Sequence, residues 1–217
     1  MTRTPGALRL LLLAPLLLMA PTLAASPAQA VGLALPVQCE VGEETVLAWD
    51  DVAYDLRGTC GVVRVTADGA TVTMPSATRL VVEGAGNAIT AKPLADLEVL
   101  GGGTTVTTPS VQHLTVSGTG SSIEVAGLVE HADLAGTSSA LSADTINVLR
   151  LRGYDTVSAR KAFRTRITGS DNVLRLTRSD RLVLTGDRNA VTVARGRTTL
   201  RDRGEDNVLD LRPRRRR

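Results

Sequence analysis

The chain has 217 residues, of which 43% are hydrophobic but only 2% aromatic, and 25 Lys and Arg against 22 Asp and Glu leave a formal charge of +3. This length suits one globular domain or one long repeat array. The small net charge argues against a dedicated nucleic-acid binder, and the scarcity of Phe, Trp and Tyr argues against a core built around large rings.

Residues 1–30 have the pattern of a secretory signal peptide. Two arginines precede an apolar run from Leu10 to Ala20, and Ala28-Gln29-Ala30 supplies a small-x-small cleavage site. A retained membrane anchor is the alternative, but prolines interrupt the apolar run, which is also short for the ~20 residues that a span needs. We therefore predict that the mature chain begins at Val31 and is secreted or held at the cell envelope.

Cys39 and Cys60 are the only cysteines, and both fall in the predicted N-terminal cap or first coil, residues 31–63. An even pair in an exported chain predicts a disulfide. Free thiols are unusual outside the cell, and metal ligation is disfavoured because neither histidine is near the pair in sequence.

Glycine recurs at intervals of 16 to 18 residues, at Gly84, Gly101, Gly118, Gly136, Gly153, Gly169, Gly186 and Gly204. Apolar residues lie four and two positions before most of these glycines, and again shortly after them. This period-two alternation predicts two short strands per repeat and leaves no room for a helix. A third apolar column follows about ten residues after each glycine, at Ala77, Leu94, Val111, Leu128, Ile146 and Phe163.

The repeat predicts an all-β fold, a single-stranded parallel β-solenoid (β-helix) over residues 64–211. It would contain about nine coils, right-handed because parallel crossovers prefer that hand. Val, Ile and Leu stack well in so narrow a core, whereas aromatic rings crowd it. Residues 212–217 are predicted to be a disordered Arg-rich tail.

The turn after each repeat glycine is rich in glycine and asparagine, which tolerate the positive φ that a tight corner demands. In the last three coils Asn172, Asn189 and Asn207 take equivalent positions. We predict that they stack as a structural ladder in which each side-chain amide bonds its neighbour.

These residues also carry a family resemblance. Cys39, the Arg57-Gly58-Thr59-Cys60 element, Val63-Arg64-Val65 and the repeated Gly-x-x-Asn-x-Val units resemble a family of exported actinobacterial proteins of unknown function, over roughly residues 38 to 211. Residues 101–160 depart from that pattern because they lack Asn at the corner. The resemblance implies a parallel β-solenoid and carries no activity.

Side chains alternate across a strand, so the residues five and three positions before each glycine are expected to point outward. This places Asp96, His113, His131 and Asp133 in neighbouring outward positions. Imidazole and carboxylate groups are ligands for zinc or a similar ion, so these four residues are a candidate metal site. A solvated face with ordinary hydrogen bonds is the simpler interpretation, and we predict no cofactor.

The charges are segregated along the chain. Residues 31–147 hold 14 acids and four bases, a balance of −10, whereas residues 148–217 hold 19 bases and eight acids, a balance of +11. We predict that the basic half binds an anionic cell-wall polymer or an acidic protein surface. The residues expected on one face of this half are Arg150, Arg152, Arg164, Arg166, Arg181 and Arg201.

The sequence thus predicts an exported, non-enzymatic binding or structural module. Nucleic acid is disfavoured by export and by the lack of aromatic side chains for stacking, and no transmembrane segment is expected after signal cleavage. The acidic and basic ends also favour end-to-end self-association. The alternative is a carbohydrate-active enzyme that uses Asp96, Glu98, His113, His131 and Asp133, although exposed strand carboxylates lack the burial that raises a pKa for general-acid work.

Overall fold

The computed structural model describes residues 34–212, and within this range all regular secondary structure is β-strand, with no helix. The strands are parallel and stack as a β-solenoid of about ten turns, which confirms the predicted fold class. The hand of the coil stays a prediction. The predicted signal peptide and residues 213–217 of the tail lie outside the described residues.

Each coil contributes a strand to two parallel ladders. The first ladder contains β1 Leu35–Cys39, β3 Ala53–Gly58, β5 Thr71–Met74, β7 Ala88–Ala91, β9 Thr105–Thr108, β15 Ala190–Val193 and β17 Val208–Leu211. The second contains β2 Glu44–Leu47, β4 Cys60–Val65, β6 Ala77–Val82, β8 Leu94–Val99, β10 Val111–Val116 and β16 Thr199–Asp202. Four longer strands belong to both ladders: β11 Ser122–Leu134, β12 Thr137–Leu151, β13 Tyr154–Ile167 and β14 Val173–Leu184.

Proline separates the two strands of the coil in three of the coils. Pro75, Pro93 and Pro109 each stand between two strands of one coil. Proline has no N–H to donate to a ladder, so pairing stops there. The coils from β11 to β14 have no proline at this corner, and their strands continue around it.

The core is a set of columns of stacked aliphatic side chains. Leu97, Leu114 and Leu149, for example, are each at most 1% exposed, and pairing in register places them in one column with Ala132. Among residues 34–212 Tyr54 is the one buried aromatic residue, and its hydroxyl accepts a hydrogen bond from the backbone N–H of Trp49 and donates one to the carbonyl of the same residue. The low aromatic content of the sequence thus agrees with a described core that contains a single aromatic side chain.

The prediction of the third inward column is wrong at two positions. Leu128 and Phe163 are 36% and 40% exposed, and the neighbouring Val129 and Ala162 point inward instead. An irregularity in the pairing of β11 with β12, between Val125 and Leu128, shifts the register at this corner. The narrow core accepts the alanine methyl at 162 rather than the adjacent phenylalanine ring.

The expected reason for the repeat glycines also needs correction. Positive φ is found two positions after the repeat glycine, for example at Gly86, Asp171 and Arg188, and at neither the repeat glycine nor the asparagine. The repeat glycines are instead required by close approach, because a Cβ on Gly186 would lie 2.0 Å from the carbonyl oxygen of Gly169 in the preceding coil. The same clash recurs in every coil from Gly84 to Gly204.

The solenoid begins earlier than residue 64, because β1 already pairs with β3 and β2 with β4. The predicted disulfide is present: Cys39 in the first coil is bonded to Cys60 in the second, with their Cα atoms 4.9 Å apart. A closed loop of this length contributes about 3 kcal/mol to stability in the chain-entropy model. The disulfide thus fastens the first coil to the second.

The last coil has a charged residue at the register position of a core column, although all four residues of β16 are exposed. Asp202 pairs in register with Leu184, at a place that holds Leu, Ile or Val in the preceding coils. Its carboxylate accepts bonds from the backbone N–H of Gly204, at 3.1 Å, and from the side chain of Asn207, at 3.0 Å. A carboxylate therefore terminates this core column.

Candidate functional site

The outward side of the second ladder carries the charged side chains that the sequence singles out. Pairing in register places His113 next to Asp96 and His131, and then Val148, Arg164 and Arg181 follow along the same row. A second row contains Glu98, Thr115, Asp133, Arg150, Arg166, Val183 and Arg201. The residues predicted to point outward thus lie side by side on adjacent strands.

Five arginines form one continuous surface, which we call the arginine face: Arg150, Arg164, Arg166, Arg181 and Arg201. They surround a shallow depression of about 320 Å³ that also includes Val148 and Val183. All five are exposed, and among residues 34–212 no carboxylate lies within 4.0 Å of any of their guanidinium nitrogens. Their charge is therefore available to an external anion.

Arg152 was predicted on the same face but is engaged elsewhere. Its Nε and Nη2 atoms donate to the two carboxylate oxygens of Asp133, at 2.9 and 2.7 Å. This bidentate geometry is a strong form of ion pair. Arg152 does not line the depression, and its charge is largely balanced by Asp133.

Other arginines of the basic half are paired in the same way. Arg188 binds both oxygens of Asp171, and this lowers the pKa of Asp171 and raises that of Arg188, mainly through the side-chain hydrogen bonds. Arg160 binds Asp144 and lowers the pKa of that carboxyl to about 2. Arg152, Arg160 and Arg188 are thus balanced by carboxylates, whereas in the described chain the five arginines of the arginine face are not.

The candidate metal residues are not assembled into a site. His113 Nδ1 lies 3.0 Å from an oxygen of Asp96, and the rings of His113 and His131 stack with centroids 5.2 Å apart. Asp133 is held by Arg152. Within the described range no group of three or more His, Cys, Asp or Glu side chains is placed to hold a metal ion.

The carboxylates of the alternative enzyme site are also engaged separately. Glu98 receives a hydrogen bond from Arg79 at 2.5 Å, Asp96 contacts His113, and Asp133 contacts Arg152. Asp96 and Glu98 lie on the outward side of β8, two residues apart. No pair of these carboxylates shares a contact.

The asparagine ladder is present and is longer than the sequence interpretation indicated. Asn172 Nδ2 donates to Asn189 Oδ1 at 2.9 Å, and Asn189 Nδ2 donates to Asn207 Oδ1 at 3.1 Å. The column continues through other small polar residues that are buried at the equivalent corner: Asn87, Thr104, Ser121, Ser139 and Asp155. The available signal was a small polar residue two or three positions after each repeat glycine.

Most hydrogen bonds of the ladder follow one rule, and Asp155 departs from it in a way that leaves an atom without a partner within the described chain. A backbone N–H of one coil typically donates to the side-chain oxygen of the next, as from Ser139 to Asp155 at 3.0 Å. Most side chains also donate to a backbone carbonyl of the preceding coil, which belongs to Ala67 for Asn87 and to a repeat glycine for the others. Asp155 is 2% exposed, and its Oδ2 has no partner among the described residues. Burial raises the pKa of this carboxyl above its ordinary 3.8, with the Ser139 hydrogen bond opposing.

No family model matches the chain, and neither a curated protein nor a solved structure matches it. The resemblance to exported actinobacterial proteins therefore stays a prediction. Within residues 34–212 no helix has the length and apolar character to cross a membrane.

Proposed function

We propose that this protein is an exported, non-enzymatic β-solenoid that binds an anionic polymer of the cell envelope through the arginine face. The observation that carries the proposal is the group of five exposed arginines without carboxylate partners in the described chain. Guanidinium groups bind phosphate and carboxylate in bidentate geometry, and a cluster of like charges raises the local concentration of anions.

The disulfide supports an extracellular location, because disulfides persist in oxidising compartments. The charge segregation supports an oriented interaction. Residues 34–147 carry a balance of −10 and residues 148–212 a balance of +7, so the acidic coils are repelled from the surface that attracts the basic coils. The predicted signal peptide is consistent with this location.

The enzyme alternative has less support. Its carboxylates are divided among Arg79, His113 and Arg152, whereas acid and base catalysis needs two groups directed at one substrate bond. We therefore favour binding over catalysis.

The direct test is retention of the secreted protein on isolated cell-envelope fractions at low and physiological ionic strength. We expect retention at low salt that decreases as salt rises, because exposed charge pairs are screened. The variant Arg164→Glu/Arg166→Glu should lose retention. Arg175→Glu/Arg178→Glu is the matched control, since it makes the same charge change at two exposed arginines outside the arginine face. Equal loss in both variants would refute a specific face.

A further inference from the structure

The arginine face is longer along the stack of coils than across it. Its members lie on four successive strands of the second ladder: Arg150 on β12, Arg164 and Arg166 on β13, Arg181 on β14 and Arg201 on β16. Neighbouring strands are ~4.8 Å apart, so the arginines extend over ~14 Å along the coil axis. Across the axis they occupy only two positions, ~7 Å apart on one strand.

We propose that the ligand is a linear polyanion that lies parallel to the coil axis, with a phosphate or carboxylate group in every repeat unit. This inference rests on the proposed function and specifies the ligand of that site. A single small anion contacts two or three guanidinium groups at most, whereas a linear polymer contacts all four strands in succession.

The side chains between the arginines also favour a polymer recognised by its charges. Val148 and Val183 lie beside the arginines and offer apolar contact but no hydrogen bonds to the polymer. No aromatic ring lines this depression, so stacking on a sugar ring or a base contributes nothing there. Affinity must therefore come from the number and spacing of anionic groups.

The neighbouring coils limit the arginine face at one end. Asp133 pairs in register with Arg150, and Glu98 lies two coils further along the same row. Asp133 is already paired with Arg152 and Glu98 with Arg79, so these positions offer no free cation to an anionic chain that extends toward the N-terminal coils. The polymer is therefore expected to continue past Arg201, toward the C-terminal end of the solenoid.

Isothermal titration calorimetry of the full secreted chain with inorganic pyrophosphate, tripolyphosphate and long-chain linear polyphosphate tests this geometry. We expect affinity to rise at least tenfold from pyrophosphate to the long chain. Arg150→Ala and Arg201→Ala, at the two ends of the arginine face, should weaken binding of the long chain and leave pyrophosphate binding unchanged. Arg164→Ala should weaken both, and the off-face control Arg175→Ala neither.

The salt dependence gives a second measurement. Each phosphate contact contributes a slope of about one to the logarithm of affinity against the logarithm of salt concentration, so each alanine variant should lower the slope for the long chain by about one. A parallel titration with glutarate and polyglutamate determines whether phosphate or carboxylate is preferred, and length dependence in either series supports the proposal.

Three outcomes contradict it in different ways. Equal affinity for pyrophosphate and the long chain, with loss in Arg164→Ala, would refute axial binding but keep an anion-binding face. Retention on phosphatidylglycerol vesicles without binding to any polymer would replace the polymer with a membrane surface. Failure to bind any polymer, vesicle or envelope fraction would reject the proposed function together with this inference.

Discussion

The buried carboxyl of Asp155 allows a quantitative test of the polar ladder. Replacement by Asn keeps an oxygen to accept the bond from Ser139 and adds an N–H₂ group in place of the unpartnered Oδ2. At the equivalent position in the next coil, Asn172 Nδ2 donates to the carbonyl of Gly153 at 3.1 Å, so Asn at 155 is expected to donate to Gly136. The substitution should therefore complete the ladder.

The magnitude follows from two contributions. A buried polar atom without a partner costs about 1–3 kcal/mol, and a new hydrogen bond contributes about 1 kcal/mol. We expect Asp155→Asn to raise the free energy of unfolding by about 2 kcal/mol at neutral pH. Asp180→Asn makes the same charge change at an exposed carboxyl and should have little effect.

The pH dependence has a definite sign. Because the pKa of Asp155 is raised in the folded protein, the folded state holds more protons than the unfolded state between the ordinary value of 3.8 and the raised value. The contribution of Asp155 is fully present below 3.8 and is lost as pH rises through the folded pKa, by up to about 1.4 kcal/mol per pH unit. No charged side chain contributes to this shift, which arises from burial and the Ser139 backbone.

Urea unfolding followed by circular dichroism from pH 3 to pH 8 measures this effect. The difference between Asp155→Asn and the unsubstituted protein should grow with pH and then become constant. A difference that is zero at neutral pH, or that does not change with pH, would refute the idea that the carboxyl is buried and unpartnered.

Three further predictions concern the ion pairs, the glycine column and the last coil. Arg160 lowers the pKa of Asp144 in the folded state, so the stability that this carboxylate contributes is lost as pH falls from 3.8 toward 2. In Asp144→Asn the free energy of unfolding should therefore fall less steeply over this pH range, and acid titration monitored by circular dichroism tests the direction. Gly186→Ala should destabilise the fold by about 3 kcal/mol because the new Cβ meets backbone atoms. Gly120→Ala has open space but a φ of +66°, and should cost only about 1–2 kcal/mol. Equal melting temperatures of the two variants would contradict this difference. Asp202→Leu should produce concentration-dependent association in sedimentation velocity, since it makes the exposed end of the core apolar; a monomer at all concentrations would show that other groups keep the ends apart.

The repeat and its inward columns could be predicted because apolar residues occupy alternate positions along each strand, and the same positions are apolar in successive coils. The corner between the two ladders could not. Whether Leu128 or Val129, and Phe163 or Ala162, points inward depends on a local register shift and on the space left by neighbouring coils. Adjacent apolar residues carry no period that distinguishes these choices.

The candidate site was predictable in its rows but not in its pairings. Arg150 and Arg152 are alike in sequence context, yet only Arg152 reaches the carboxylate of Asp133. That contact joins residues 19 positions apart on adjacent coils and depends on side-chain rotamers. Similarly, Asp202 is an ordinary charged residue in the sequence, and its place at the end of a core column becomes evident only from its register with Leu184.

The close contact between successive repeat glycines bears on how a chain of this kind can change in length. From Gly101 to Gly204 each glycine meets the glycine of the preceding coil through backbone atoms, so this contact does not depend on which two coils are neighbours. Duplication or loss of one whole coil restores every such contact. An insertion of a few residues within a strand moves the glycine off its neighbour and shifts each inward side chain. Molecules with this architecture are therefore expected to lengthen or shorten in steps of one complete coil.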